Sequence, residues 1–306
     1  MKVLIIGLGS IAQKHIESIK KIDPFVMLYA LRSSSNSINI QDIVDIYKLE
    51  DIPSDIDFIL ITNPTSLHAE TILRLIKFEK PLFIEKPVFD TLSNKDEIIK
   101  KVVEKNIKTY VGCNLRFHPA LNFIKNLLNK NNIKINEVNI YCGSYLPDWR
   151  PSQDYRVSYS SNKQLGGGVH LDLIHELDYA IWLFGKPIKY NSIKRKVSNL
   201  LIDTIDFSNY NLAYSDFNVS ITLNYYRNKP KRQLEIILEN EIILCDLLTS
   251  TITNINNDII FKEEDFSFSK TYLYQMEYFI NSLKSKNVYM NDIQESFEIL
   301  KIALND

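Results

Sequence analysis

The stretch Lys2-Val3-Leu4-Ile5-Ile6-Gly7-Leu8-Gly9-Ser10-Ile11-Ala12 decides how the chain is read. Residues 2–6 form a short apolar run, the signature of a buried strand. Residues 10–22 set Ile11, Ile16, Ile19 and Ile22 among polar residues at helical spacing. Between them, Gly7-Leu8-Gly9-Ser10-Ile11-Ala12 matches GxGxxG/A. The first glycine permits a tight turn, and the second lets a pyrophosphate approach the backbone. The small third residue lets helix and strand pack closely, and the helix N-terminus favours an anion. The pattern alone is weak. A strand before it and a helix after it are the context that separates a dinucleotide site from an ordinary glycine turn.

Working outward, apolar runs at 25–31, 57–62, 82–85 and 108–112 read as strands, and 67–79 and 93–105 as helices. Arg32 to Ser37 reads as a polar turn, and 38–50 is ambiguous. Strands alternating with helices predict βαβ units on a parallel sheet, a doubly wound Rossmann domain over 1–118. The pattern then changes. A helix at 119–129 leads to a strand at 136–145, and a Pro- and Tyr-rich loop spans 146–165. A helix at 172–184 stops at Gly185-Lys186-Pro187. Short runs such as 218–226 and 232–239, rich in β-branched and aromatic residues, predict a mainly antiparallel sheet. Helices are expected at 270–285 and 292–303. The expected fold is α/β, with an α+β substrate-binding and oligomerisation domain over 119–306.

The chain has 306 residues, enough for two domains with their own cores. It is 45% hydrophobic, 24% charged and carries a net charge of -1, which gives no reason to expect nucleic acid or an anionic membrane as partner. Three cysteines make neither a disulfide framework nor a cysteine zinc site, and favour a reducing compartment. No apolar run suits a signal peptide or a membrane span, so a soluble, cytoplasmic protein is expected. Eight glycines are few for this length, where average usage gives about twenty. Five of them fall at 7–9 and 166–168, positions where special backbone geometry is expected.

Three further places carry chemistry. An NAD enzyme places an acid about twenty residues past its glycines, at the end of the second strand. Here Leu31-Arg32-Ser33-Ser34-Ser35 stands there. Arg32 and Ser33 suit a 2′-phosphate, so NADP(H) is expected over NAD(H), with a surface arginine and dual use as the alternative. Glu85-Lys86-Pro87 ends a parallel strand at the carboxyl edge, where ligands bind, and a lysine there can assist proton transfer at a hydroxyl. Most strand-end lysines are simply solvated. Gly166-Gly167-Gly168 precedes a segment in which Asp172 and His175 share one face of an expected helix. A carboxylate beside an imidazole suits acid–base work, although the same residues also serve as a capped helix start and a packed histidine. No third ligand for a metal presents itself.

The segments GLGSIA, EKP at 85–87, GCNLRFHP at 112–119 and GGGVHLDLIHELD at 166–178 resemble the glucose–fructose oxidoreductase, inositol dehydrogenase and rhizopine catabolism family (Gfo/Idh/MocA), in that order along the chain. The resemblance covers about residues 1–185. It implies an NAD(P)-dependent dehydrogenase or reductase acting on CH–OH groups of a carbohydrate, in which Gly7, Gly9, Ser10, Ile11 and Ala12 cradle the cofactor. It implies Lys86 near the reacting hydroxyl, Asp172 as substrate-binding and His175 as acid–base residue. Asn63, Pro64 and His68 resemble the turn along the dinucleotide, and Glu85, Asn114 and Arg116 the strand ends beneath the nicotinamide, Arg116 toward the substrate. Many members space the Asp and His four residues apart; here the spacing is three. The DLxHExD form resembles a branch from bacterial surface-sugar and sialic-acid-like pathways. Trp149, Arg150 and Arg156 suit stacking on a sugar and clamping a carboxylate or phosphate, though their loop also suits a flap or subunit contact. A homodimer or homotetramer is expected, since an open sheet has a face to offer. Two rivals are a non-catalytic NADP(H)-binding sensor and an NAD-dependent glycosidase of the same fold.

Overall fold

The computed structural model describes residues 1–34, 40–130, 133–284 and 290–305. Residues 35–37 of the expected polar turn, and residue 285 of the expected last-but-one helix, lie outside the described residues. The chain forms two compact units, one of residues 1–114 with 269–300 and one of residues 115–268 with 301–306. The expected boundary at 118 falls close to the first division. The return of 269–300 to the N-terminal unit was not legible from a pattern that reads only along the chain.

The first unit begins with β1 (Lys2–Ile6), α1 (Ser10–Ile22), β2 (Met27–Leu31), β3 (Ile43–Ile46), β4 (Phe58–Ile61), α2 (His68–Leu75), β5 (Leu82–Glu85), α3 (Lys95–Glu104) and β6 (Thr109–Gly112). The strands pair in parallel in the order β3-β2-β1-β4-β5-β6, the doubly wound arrangement. Val3, Leu4, Ile5, Phe58, Leu60, Leu82, Phe83 and Ile84 are buried, as strands covered on both faces require. Burying each such side chain contributes about 1.5–3 kcal/mol. On α1 the buried face is Ala12, His15, Ile16 and Ile19, and the helix ends in Lys20 and Lys21, which suit its negative terminus.

The second unit holds α4 (Pro119–Lys130), β7 (Ile135–Tyr145), α5 (Val169–Asp172), α6 (His175–Phe184), β8 (Lys189–Arg195), β9 (Phe207–Ala213), β10 (Asn218–Asn224), β11 (Tyr226–Leu238), β12 (Ile242–Asp246), β13 (Thr251–Thr253) and β14 (Ile259–Lys262). The chain ends with α7 (Phe268–Ser282) and α8 (Ile293–Leu304). The second sheet runs β14-β13-β12-β11-β7-β10-β9-β8. It is antiparallel except where β7 and β10 pair in parallel. Alternation decides its faces. Val138, Ile140, Tyr210, Leu212, Val219, Ile221 and Leu223 point to a buried side, where α5 and α6 pack. Asn209, Asn211 and Thr222 occupy the opposite face.

The expected single helix 172–184 is a correction. Leu173 and Ile174 break it, and α5 stops at Asp172 while α6 starts at His175. The joint is tightened, with the Ile174 and Glu176 N–H groups donating to the carbonyls three residues back, at 3.4 and 3.3 Å. Asp172 and His175 therefore end one helix and begin the next, rather than sharing one helix face.

His118 sits in the second unit with one protonation state built in. Its Nδ1 accepts from the Ala120 N–H at 3.2 Å, and its Nε2 lies 3.0 Å from the Leu247 carbonyl, which fixes a neutral tautomer. Burial pushes its pKa down to about 4. Burial also lowers that of His68. The unfolded chain takes these protons near pH 6.5 and the folded chain does not, so stability falls as pH drops from 6.5 toward 4. His118 alone accounts for about 3 kcal/mol of that loss. Urea unfolding between pH 7 and 4 should show the decline, and His118→Asn should flatten it.

Candidate active site

Two sets of residues carry the expected chemistry, one in each unit. In the first, β1 ends in a turn whose Gly7 has φ +92°, and a Cβ there would lie 2.6 Å from the Asn63 backbone. Only glycine meets both demands. Thr62 fastens the same junction, its hydroxyl donating to the Gly7 carbonyl at 2.7 Å. Gly9 is different. It caps α1 with ordinary dihedrals, and a Cβ would meet nothing within 4 Å. The fold does not need a glycine there. Ser10 is exposed, Ile11 half-buried, and Ala12 buried against the sheet.

Gly7, with Ile6 and Leu8 beside it, borders an open cleft of about 700 Å3. Gly7, Arg32, Ser33, Asn63 and Pro64 line it, with Tyr47 and Thr71. Asn63 Nδ2 donates to the Thr71 hydroxyl at 2.8 Å, while its buried Oδ1 has no hydrogen-bond partner among the described residues. An open backbone at a helix start and an unanswered acceptor in the lining fit a dinucleotide, whose phosphates and hydroxyls supply the missing partners.

Several expected ligands are turned elsewhere. Glu85 directs its carboxylate to buried His15, Oε1 to Nε2 at 2.6 Å, and accepts from the Lys86 N–H at 3.2 Å. His68 is buried between the Asn63 and Val88 carbonyls, at 3.0 and 3.2 Å, and ties those two turns together. Asn114 is buried and donates to the Thr271 hydroxyl at 2.7 Å. All three side chains have protein partners. Lys86 is half-buried directly after β5. Arg32 faces a carboxylate that the sequence did not announce, Asp45 on β3, at 3.4 Å.

In the second unit, Tyr225 donates its hydroxyl to Asp172 Oδ2 at 2.5 Å. The Trp149 ring meets Tyr225 edge to face, with centroids 5.3 Å apart, and its indole N–H donates to Ser144 at 2.8 Å. Burial and the neighbouring Asp172 carboxylate raise the Tyr225 pKa well above its ordinary value, so the phenol keeps its proton and stays a donor. Tyr225 thus joins the loop tryptophan to the expected substrate aspartate. Asp172 is half-buried and His175 is 9% exposed. Gly167 has a structural duty, because a Cβ would lie 2.3 Å from the Tyr159 carbonyl. Arg150 is exposed, and the exposed Arg156 is bound to Asp154 at 2.6 Å.

Arg116 also has a protein partner. It is 1% exposed and grips Asp178 of α6, itself 1% exposed, through Nε and Nη2 at 2.7–3.2 Å. A second pair, Arg232 Nε to Glu176 at 2.6 Å, holds the same helix. Arg116 therefore fixes the helix that starts with His175. Sequence reasoning missed Asp45, Tyr225 and Arg232 because each is brought to its site by sheet register alone.

Residues 1–113 match the model of an oxidoreductase family with an NAD-binding Rossmann fold, Gfo/Idh/MocA. Over those residues the chain is similar to that family. It is 28% identical over 201 residues to a myo-inositol 2-dehydrogenase of Thermotoga maritima, an alignment spanning 62% of this chain and 56% of the relative. It is 26% identical over 131 residues to a 2,7-anhydro-N-acetylneuraminate hydratase of Mediterraneibacter gnavus, covering 43% of this chain and 34% of the relative. The chain spans about half the length of the curated relatives it matches. A solved levoglucosan dehydrogenase in complex with NADH has the same fold, with a TM-score of 0.86 at 15% identity, covering 99% of this chain and 95% of the other.

Removing one member of a buried ion pair strands its partner's charge and costs about 3–5 kcal/mol. Arg116→Ala should lose that much in urea unfolding. A loss below about 1 kcal/mol would return Arg116 to the role of a ligand contact.

Proposed function

We propose that the protein is an NAD(P)-dependent oxidoreductase that moves hydride between a nicotinamide and a hydroxyl-bearing carbon, or the matching ketone, of a sugar or sugar derivative. The observation that carries this reading is Gly9, whose missing side chain serves nothing in the fold. When bound, the cofactor supplies the hydride acceptor or donor, and the protein supplies orientation and electrostatics. Lys86 hydrogen-bonds the reacting oxygen and stabilises its developing charge. His175 takes the hydroxyl proton or returns it. Asp172 is oriented by Tyr225, and accepts from a neighbouring sugar hydroxyl. Trp149 offers a ring face for the sugar, with Arg150 and Arg156 at the loop surface.

The substrate class follows from the relatives' names, inositol and anhydro-sialic sugars, together with the DLxHExD form. A surface-polysaccharide or sialic-acid-like sugar is therefore proposed. The proposal extends to a homodimer or homotetramer formed through the open sheet face, and to a cytoplasmic location in keeping with three unpaired cysteines. No helix among the described residues is long and apolar enough to cross a membrane.

The test is a panel of sugars and nucleotide sugars with NAD+ and NADP+, followed by absorbance near 340 nm, the cofactor's own band. At least one sugar should reduce the cofactor. Lys86→Ala should lower kcat by about a hundredfold or more while dinucleotide affinity changes little. Unchanged turnover in that variant would remove Lys86 from the chemistry. Release of a leaving group without net reduction would instead favour the glycosidase.

A further inference from the structure

The adenosine ribose of a dinucleotide is read at the end of the second strand of a doubly wound sheet. In this chain the usual acid is missing there and Arg32 stands in its place. The structure brings an acid back from the neighbouring strand. β2 and β3 run parallel with Ala30 opposite Asp45 and Leu31 opposite Ile46. The Arg32 N–H continues the pairing, donating to the Ile46 carbonyl at 2.8 Å. Side chains alternate along a strand, so Ala30, Arg32 and Asp45 fall on one face of the sheet. Arg32 Nη1 and Asp45 Oδ1 lie 3.4 Å apart, with the two side chains only 13% and 11% exposed.

We propose that Asp45 sets the choice of cofactor by neutralising Arg32, so that the cleft favours the dinucleotide lacking a 2′-phosphate. This inference rests on the cofactor reading above. Arg32 lines the cleft, where its guanidinium offers one fork of donors. A 2′-phosphate must draw Arg32 away from its ion contact with Asp45 and then sit beside an uncompensated carboxylate in a site withdrawn from water, where like charges repel strongly. A ribose hydroxyl meets no such penalty and can be served by Arg32, Ser33 or Tyr47, all of the lining. Arg74, the other arginine of that lining, also has an acid beside it, Glu70 at 3.8 Å. The described cleft is therefore less cationic than its arginines suggest.

Calorimetric titration with NADH and NADPH tests this in the native protein, Asp45→Asn, and the double variant R32A/D45N. The native protein should bind NADH at least as tightly as NADPH. Asp45→Asn should improve NADPH binding relative to NADH by about tenfold, the scale of relieving one like-charge repulsion, and adding Arg32→Ala should abolish the gain. A tenfold native preference for NADPH overturns the proposal, as does an unchanged ratio in Asp45→Asn. Should that variant fail to fold on melting, Asp45→Ser takes its place, and the native comparison stands by itself. A native protein that binds neither dinucleotide contradicts the cofactor reading itself, a result distinct from a wrong ratio.

Discussion

The first unit depends on one close approach, that of the Gly7 backbone to Asn63. Because β1 and β4 are neighbours in the sheet, the turns that leave them must pass each other without a side chain between. That packing sets where α1 begins, and so where its unpaired N–H groups lie. It also sets where the Asn63-Pro64 turn lies along the cleft. His68 extends the constraint to the turn after β5 by bridging the Asn63 and Val88 carbonyls, and His15 with Glu85 extends it below. The half-buried Lys86 follows directly from that scaffold. None of these buried groups needs to touch a ligand for the ligand site to depend on them.

The second unit solves a different problem. A short helix starting at His175 carries two buried acids, Glu176 and Asp178, which an isolated helix would not tolerate. Arg232 from β11 and Arg116 answer them, and the sheet between β7 and β11 brings β11 within reach. Buried pairs of this kind add little net stability against an apolar core, yet they fix orientation. Asp172 is held at the adjoining helix end by Tyr225, which in turn carries Trp149. The arrangement keeps an aspartate, an imidazole and an aromatic ring in fixed places within one unit.

Much of this was legible along the chain. The strands of the first sheet other than β3 are short apolar runs, each legible to within one or two residues, because burial on both faces leaves a continuous signal. The glycine fingerprint, the Lys86 turn and the Asp172 and His175 pair were all found by local pattern. What escaped was whatever depends on register. Residues 38–50 have no clear period, so Asp45 could not be set beside Arg32. Tyr225 occupies the break between β10 and β11, where a continuous strand was expected through 226. Arg116 looked like a ligand because charge at a strand end so often is, and only the structure shows Asp178 waiting for it. The helix break at 173–174 likewise has no glycine or proline to announce it.

The central claim is that a dinucleotide phosphate lies against the main chain at the start of α1. Gly9→Val isolates it, since the fold leaves open space there and the added side chain would fill the phosphate's position. Calorimetric titration of this variant and the native protein with NADH and NADPH, alongside their melting curves, is the most direct measurement. The account predicts an unchanged melting temperature without ligand and loss of dinucleotide binding in the variant. Binding as tight as in the native protein, from a variant that folds normally, would contradict it.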